Sequence, residues 1–386
     1  MDSQFNVFPD EEYTGRLERI RARMDEERFD VCMLSAPENI YYLTGLNHWG
    51  FFGLHLLIVP KKGDLCLIAR KMETVTITNQ VADKAEFRGY LDSESAADFT
   101  ADIMKEKGFE KATIGIDMGA QYRSYADTKR LMDGLPDANW KNSQDLMTKI
   151  RMIKTPLEIA AMRQAGVISE RMTEAAIRAI APGVNEKAVA AEVYKEMILA
   201  GSESPSFGPF LRPTARRGEE HTTWGNQFLT PDDTMFIELS GSYQRYHAPM
   251  GRFVHLNPPE GQEEIQKICL EAFNAVVENL RPGMIVKDVY AAWQNVVNEA
   301  GLSDYQRHHC GYMVGLSFPP AWAECGDQNT NLNKNSNMVL EAGMTFHVLS
   351  WLVGSRLGDD FISNTVLVTE NGGEVLTTTS QNILTA

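Results

Sequence analysis

Leu17, Ile20 and Met24 fall on one stripe of an otherwise charged stretch, which predicts an opening helix from Tyr13 to Glu27. Short apolar runs follow: VCMLSA from Val31, LHLLIVP from Leu54, DLCLIA from Asp64 and TIGID from Thr113. Their length and their turn-forming borders predict strands alternating with helices. The first domain is therefore an α/β unit, drawn here over residues 1–148. At its end, Thr155 is placed to cap a helix that Pro156 can begin, with Glu158 three residues after the cap.

Beyond that point the chain repeats itself. AIAPGVNEKAVAAEVYKEMILAG, ending at Gly201, matches NLRPGMIVKDVYAAWQNVVNEAG, ending at Gly301. Each copy reads helix, Pro-Gly break, helix, closing glycine, and each is followed by a similar strand, TMFIELS ending at Ser240 or MTFHVLS ending at Ser350. This predicts, over residues 149–386, two helix-helix-sheet units facing each other across a curved sheet, with a site between them.

Composition narrows the class. With 386 residues, 43% of them hydrophobic, the chain can bury two cores. A net charge of −15 argues against a nucleic-acid partner, whose phosphates need a basic surface. No apolar run is long enough to span a bilayer, and the N-terminal pattern is not that of a signal peptide. Cys32, Cys66, Cys269, Cys310 and Cys325 are scattered singly, without a CxxC pair, so neither a disulfide framework nor a thiolate zinc site is expected. A soluble cytoplasmic protein is the expectation.

IRMIKTPLEIAAMR resembles the inter-domain element of the creatinase, prolidase and aminopeptidase P superfamily, and the helix-PG-helix repeat resembles its pita-bread domain. The resemblance spans nearly the whole chain. It implies an α/β (α+β) protein with a creatinase-like N-terminal domain and a pita-bread catalytic domain bearing a pseudo-twofold repeat. Metal-dependent members use two Asp, one His and two Glu. Carried onto this chain, those positions hold Glu238, Pro249, Tyr312, Leu349 and either Ser363 or Asn364. Proline and leucine offer no ligating side chain, so no metal and no cofactor are expected.

Creatinase, a metal-free relative, uses a loop histidine, and His221 in RRGEEHTTWGNQF falls at that position. FIELSGSYQRYHAPMGRFVHL and GYMVGLSFPPAWAE resemble the ectoine hydrolases most closely, although DDFISNT and CGDQNTNLNKNSN depart from their pattern. LTGLNHWGFF resembles the family's aromatic loop, which implies a homodimer whose loop enters the neighbour's site.

Three residues are the catalytic candidates. His221 carries an imidazole that titrates near neutrality. Glu238 is ionisable within an apolar strand, where burial would raise its pKa. Tyr312 has a hydroxyl expected to face the pocket. Strand alternation puts Arg245, His247 and Pro249 on one face. Trp49, Phe51, Phe52, Trp224, Tyr246, Trp322 and Trp351 could box a cation. Arg212, Arg216, Arg217 and Arg245 could fork onto a carboxylate. Glu324, Asp359 and Asp360 are alternative acidic groups. A cation box beside arginines suits a small zwitterionic substrate. The first expectation is β-elimination from dimethylsulfoniopropionate or a similar onium carboxylate, since the superfamily includes such lyases. The alternative is C–N hydrolysis of an ectoine- or creatine-like molecule, and the second alternative an inactive peptide-binding module.

Overall fold

The computed structural model describes residues 7–81, 83–119, 121–324 and 330–386, so Cys325 lies outside the described residues. The chain divides into two compact units, Met1–Arg151 and Met152–Ala386.

In the first unit, strands β1 (Val31–Leu34), β2 (Leu56–Pro60), β3 (Leu65–Arg70), β4 (Ala85–Tyr90), β5 (Thr113–Ile116) and β6 (Asn139–Asn142) form one sheet in the order β4-β3-β2-β1-β5-β6. β1 is central and buried throughout because its continuous apolar run serves both faces of the sheet. The helices are α1 (Asp10–Glu27), α2 (Pro37–Thr44), α3 (Thr74–Gln80), α4 (Ala96–Glu106), α5 (Tyr125–Gly134) and α6 (Gln144–Arg151). The buried stripe of α1 is Tyr13, Arg16, Ile20 and Met24, so a charged residue takes the place expected of Leu17. The Arg16 guanidinium stacks 4.4 Å from the Phe8 ring and 4.3 Å from the Tyr42 ring and donates to the Tyr42 carbonyl.

The second unit opens with α7 (Pro156–Ala179), and its capping box closes as the sequence predicts. Thr155 Oγ1 accepts from the Glu158 amide at 3.3 Å, and Glu158 Oε2 accepts from the Thr155 amide at 2.9 Å. Thr155→Ala should therefore lower unfolding free energy by about 1 kcal/mol in urea denaturation, with an unchanged m-value.

The remaining helices are α8 (Glu186–Leu199), α9 (Gln262–Asn279) and α10 (Val286–Glu299). The strands are β7 (Phe210–Arg212), β8 (Thr234–Leu239), β9 (Ser242–Tyr243), β10 (Tyr246–His247), β11 (Met250–His255), β12 (Gly311–Met313), β13 (Thr345–Trp351), β14 (Phe361–Thr369), β15 (Gly372–Val375) and β16 (Leu384–Thr385). Six of them run in the order β12-β13-β14-β11-β8-β7, which reads as two three-stranded halves meeting at a β11–β14 seam. There Gly251 lies opposite Ser363, and Arg252 opposite Ile362.

The helical repeat is reproduced residue for residue. Gly183 and Gly283 take left-handed φ of 81° and 85°, and their amides donate to the carbonyls of Leu229 and Leu340. The strand part of the repeat is out of phase by one. Met235, Ile237 and Leu239 of β8 pack into the helix-facing core, whereas in the other half Met344, just before β13, and Phe346 and Val348 of β13 do so. The facing sets are therefore Phe236 and Glu238 on β8, and His347, Leu349 and Trp351 on β13.

At the seam, the buried Arg252 guanidinium donates to the carbonyls of Gly251, Ser363, Thr379 and Ser380, tying the C-terminal segment to both halves. β16 then pairs in parallel with β11. Between β9 and β10, Gln244 and Arg245 both have positive φ, 52° and 62°, the signature of a tight hairpin turn. Arg245 thus sits in a turn and does not share a strand face with His247 and Pro249, as alternation alone had suggested.

Among the described residues, no helix is long and apolar enough to cross a membrane.

Candidate functional site

Strand and loop residues of the second unit line a cavity of about 310 Å³. Its walls are aromatic: Phe207, Phe210, Trp322 and Trp351 line it together with Leu349. Phe207 and Phe210 each meet Trp322, with ring centroids 5.1 and 5.6 Å apart.

Into this apolar shell β8 projects Glu238. Burial raises its carboxyl to about 7, against a smaller opposing pull from Arg212. Arg212 cannot pair fully with it, because its guanidinium lies 4.2 Å over the Phe236 ring and donates to the Glu219 carbonyl. Arg307 enters from the other half, 5.0 Å over the Trp351 ring and 3.8 Å from Glu220. The cavity therefore holds two guanidinium groups and a carboxyl poised near neutrality.

β12 brings Tyr312 to the same wall. Its hydroxyl receives the Trp322 indole N–H at 2.7 Å and lies 2.9 Å from His347 Nδ1. Burial and the neighbouring Glu238 push the phenol well above its usual pKa, so it stays protonated. His347 is fully buried, with Nε2 2.7 Å from Ser363 Oγ and Nδ1 3.9 Å from Glu238 Oε1. Desolvation lowers its pKa to about 3, which keeps the ring neutral.

His221 lies in the exposed loop between β7 and β8 at the edge of the cavity, about 6 Å from the Phe210 ring. Its φ of 56° is left-handed, a conformation that a residue of this size adopts at a cost of roughly 1 kcal/mol. His309 also lines the cavity, and its buried Nδ1 has no hydrogen-bond partner among the described residues.

The structure thus brings His221, Glu238, Tyr312 and Trp322 together with Arg212 and Trp351, and places the other candidates elsewhere. Arg245 stacks 4.2 Å over Phe318 and donates to the Ser204 carbonyl. Tyr246 donates at 2.6 Å to Glu158, the carboxylate that caps α7. His247 is buried and accepts the Ser206 amide at 3.2 Å, with its pKa driven down to about 3. Glu324 forms a buried ion pair with Lys154. Asp360 is buried below the sheet beside Gln262 and Cys269, pushed up to about 6 by burial. Asp359 is paired with Arg217, and Arg216 with Glu186 and Glu219. Trp224 packs edge-on against Tyr194. These side chains already serve the fold, so they do not line the cavity.

Trp49, Phe51 and Phe52 belong to the first unit. Phe51 is buried against His48 and His55, whereas Trp49 and Phe52 are 59% and 81% exposed.

The positions where metal-dependent relatives carry ligands now have geometry. Glu238 is the one acid among them, the Pro249 carbonyl accepts from Thr365, Leu349 is apolar, and Tyr312 and Ser363 are both engaged with His347. Among the described residues, no group of three or more His, Cys, Asp or Glu could hold a metal ion. This donor set does not fit a pair of hard divalent cations.

Comparison with known proteins gives the class. The family model described as "Metallopeptidase family M24" matches residues 160–370, and "Creatinase/Prolidase N-terminal domain" matches residues 16–153. The chain belongs to this family and has its two-domain build, a creatinase-like N-terminal domain followed by a pita-bread domain. Among its relatives, it is 30% identical to an uncharacterized hydrolase/peptidase of Sinorhizobium fredii over 98% of each chain. It is 29% identical to the ectoine hydrolase of Halomonas elongata over 96% of each. The solved prolidase from Pyrococcus furiosus superposes with a TM-score of 0.78 at 27% identity, over 93% of this chain and 99% of that one. A dipeptidase from Mycobacterium ulcerans shares the fold, with a TM-score of 0.83 at 20% identity over 98% and 99% of the two chains.

Proposed function

We propose that this chain is a metal-independent hydrolase that opens a C–N bond in a small zwitterion of the ectoine or creatine type. The observation that carries the reading is Glu238: a carboxyl held near neutral pKa in an aromatic cavity, beside a protonated phenol and two guanidinium groups. The rings suit the delocalised cation of such a substrate, and Arg212 or Arg307 suits its carboxylate. Glu238, ionised, takes a proton from a water molecule as its oxygen adds to the substrate carbon. Tyr312 donates a hydrogen bond to the oxygen or nitrogen that gains charge. His221, at the edge of the cavity, delivers a proton to the departing nitrogen.

Ectoine hydrolase and Xaa-Pro dipeptidase among the relatives support hydrolysis over the elimination expected from the sequence. The exposed Trp49 and Phe52 favour a homodimer in which this loop meets the neighbour's site. Cys32, Cys66, Cys269 and Cys310 are unpaired, in keeping with a cytoplasmic setting.

The test is incubation with ectoine, creatine and dimethylsulfoniopropionate separately, followed by mass spectrometry, with and without a chelator. Net addition of one water to ectoine or creatine, unchanged by the chelator, is expected. Dimethyl sulfide release, chelator-sensitive activity or complete inertness would overturn the reading, and inertness with peptide binding would make the chain a binding module. With Glu238 as base, kcat/KM should rise tenfold with each pH unit below about pH 7. A kcat/KM that stays flat over that acidic range would remove Glu238 from that role.

A further inference from the structure

Tyr312 has one hydroxyl proton and two lone pairs, and its neighbours constrain where that proton points. The Trp322 indole can only donate, and at 2.7 Å it occupies one lone pair. The outcome then turns on which nitrogen of His347 carries hydrogen. If Nδ1 is bare, the phenol spends its proton on the imidazole, and Nε2–H donates to Ser363 Oγ. The Ser363 proton would then be left unpaired in a fully buried place, because His347 is the one hydrogen-bond partner of that hydroxyl among the described residues. If Nδ1 carries hydrogen, the proton left over is the phenol's, which borders the cavity and not the closed interior. Ser363 donates to Nε2, Nδ1–H donates to the phenol oxygen, and both phenol lone pairs are filled. Glu238 favours the same arrangement, since its carboxylate lies 3.9 Å from Nδ1 and attracts a proton to the nearer nitrogen.

We infer that Ser363 and His347 are positioning residues: they hold the imidazole in its Nδ1–H form and so turn the Tyr312 hydroxyl proton into the cavity. The phenol becomes an oriented donor whose proton faces the cavity. Its use in stabilising a developing charge rests on the hydrolase reading; the proton arrangement itself does not. The ring stays neutral across the working range because burial lowers its pKa to about 3, so the arrangement does not dissolve with pH.

Two measurements separate these claims. In ¹⁵N-histidine-labelled protein, the signal lost in His347→Asn should show a protonated Nδ1 and a bare Nε2. A protonated Nε2 overturns the inference whatever the substrate proves to be. The second measurement is steady-state kinetics on the zwitterion that is turned over. Ser363→Ala frees the tautomer, and His347→Gln places its amide where Nε2 was, so both should lower kcat roughly 10–100-fold with KM little changed. His347→Asn places an amide near the Nδ1 position and should recover most of the loss. Equal losses in the Asn and Gln variants, or no loss in Ser363→Ala, would overturn the positioning role. The Nδ1–H form with no zwitterion hydrolysed would leave the proton arrangement standing and remove the proposed function.

Discussion

Glu238→Gln should lower kcat by about 10²–10⁴-fold and, at the same time, make the protein more stable at alkaline pH. Both effects come from the same burial. The folded carboxyl has a pKa of about 7, against 4.5 for an ordinary glutamate. Between those two values the folded chain holds a proton that the unfolded chain has released. Stability therefore declines as pH rises through that window and stays low above it. The ceiling on this cost is about 3 kcal/mol, since a tenfold change in proton affinity corresponds to roughly 1.4 kcal/mol. Glutamine keeps the shape without the charge and removes the penalty. Arg212 keeps its ring stacking and its Glu219 carbonyl after the change. The gap in melting temperature between variant and parent should be small at pH 5 and grow to several degrees at pH 8. Activity within a factor of two of the parent, or a gap that does not widen with pH, would contradict this account.

The largest loss of stability should follow Lys154→Met. Lys154 and Glu324 form an ion pair whose side chains are 0% and 1% exposed. The pair is wedged against Gly315, where a Cβ would come within 2.8 Å of Glu324 Oε2 and 2.9 Å of Lys154 Cε. Removing the lysine alone leaves a buried carboxylate without its cation, a change worth about 3–5 kcal/mol. Replacing both partners with apolar residues, Lys154→Met together with Glu324→Leu, should recover most of that loss. Urea denaturation of the two single variants and the double variant measures the coupling. Single and double variants of equal stability would show that the pair contributes something other than mutual neutralisation.

Much of the fold was legible because its signals are local. The Thr155–Glu158 cap, the Pro-Gly breaks and the left-handed glycines that close each repeat all act within a few residues of themselves. The strand register was not legible in the same way. Setting TMFIELS against MTFHVLS end to end aligns Glu238 with Val348, which faces the helices, whereas in the structure Glu238 faces the cavity with His347 and Leu349. A slip of one residue exchanges the two faces of a strand, and sequence similarity cannot detect it. His347 was overlooked for that reason, although period-two spacing from Leu349 was a usable signal. Arg245 was misplaced because Gln-Arg is an unusual pair for a turn that asks for positive φ twice. Arg307 and Phe207 reach the cavity from loops, where no periodicity marks them. Glu238 and Trp322 could be found because an acid in an apolar strand and a tryptophan just after two prolines stand out against their surroundings, and Tyr312 because it falls where metal-dependent relatives carry a histidine.

Arg252 gives the tail of the chain an architectural duty. The two halves of the sheet arise from segments about a hundred residues apart, yet the guanidinium at their junction finds two of its four acceptors only when Thr379 and Ser380 arrive. A nascent chain still lacking those residues would have to close its central seam over a half-satisfied cation. The middle of the sheet therefore depends on residues more than a hundred positions further along the chain. Loss of Thr379 and Ser380 would be felt at Ser363, in the middle of the sheet, because Arg252 joins all three.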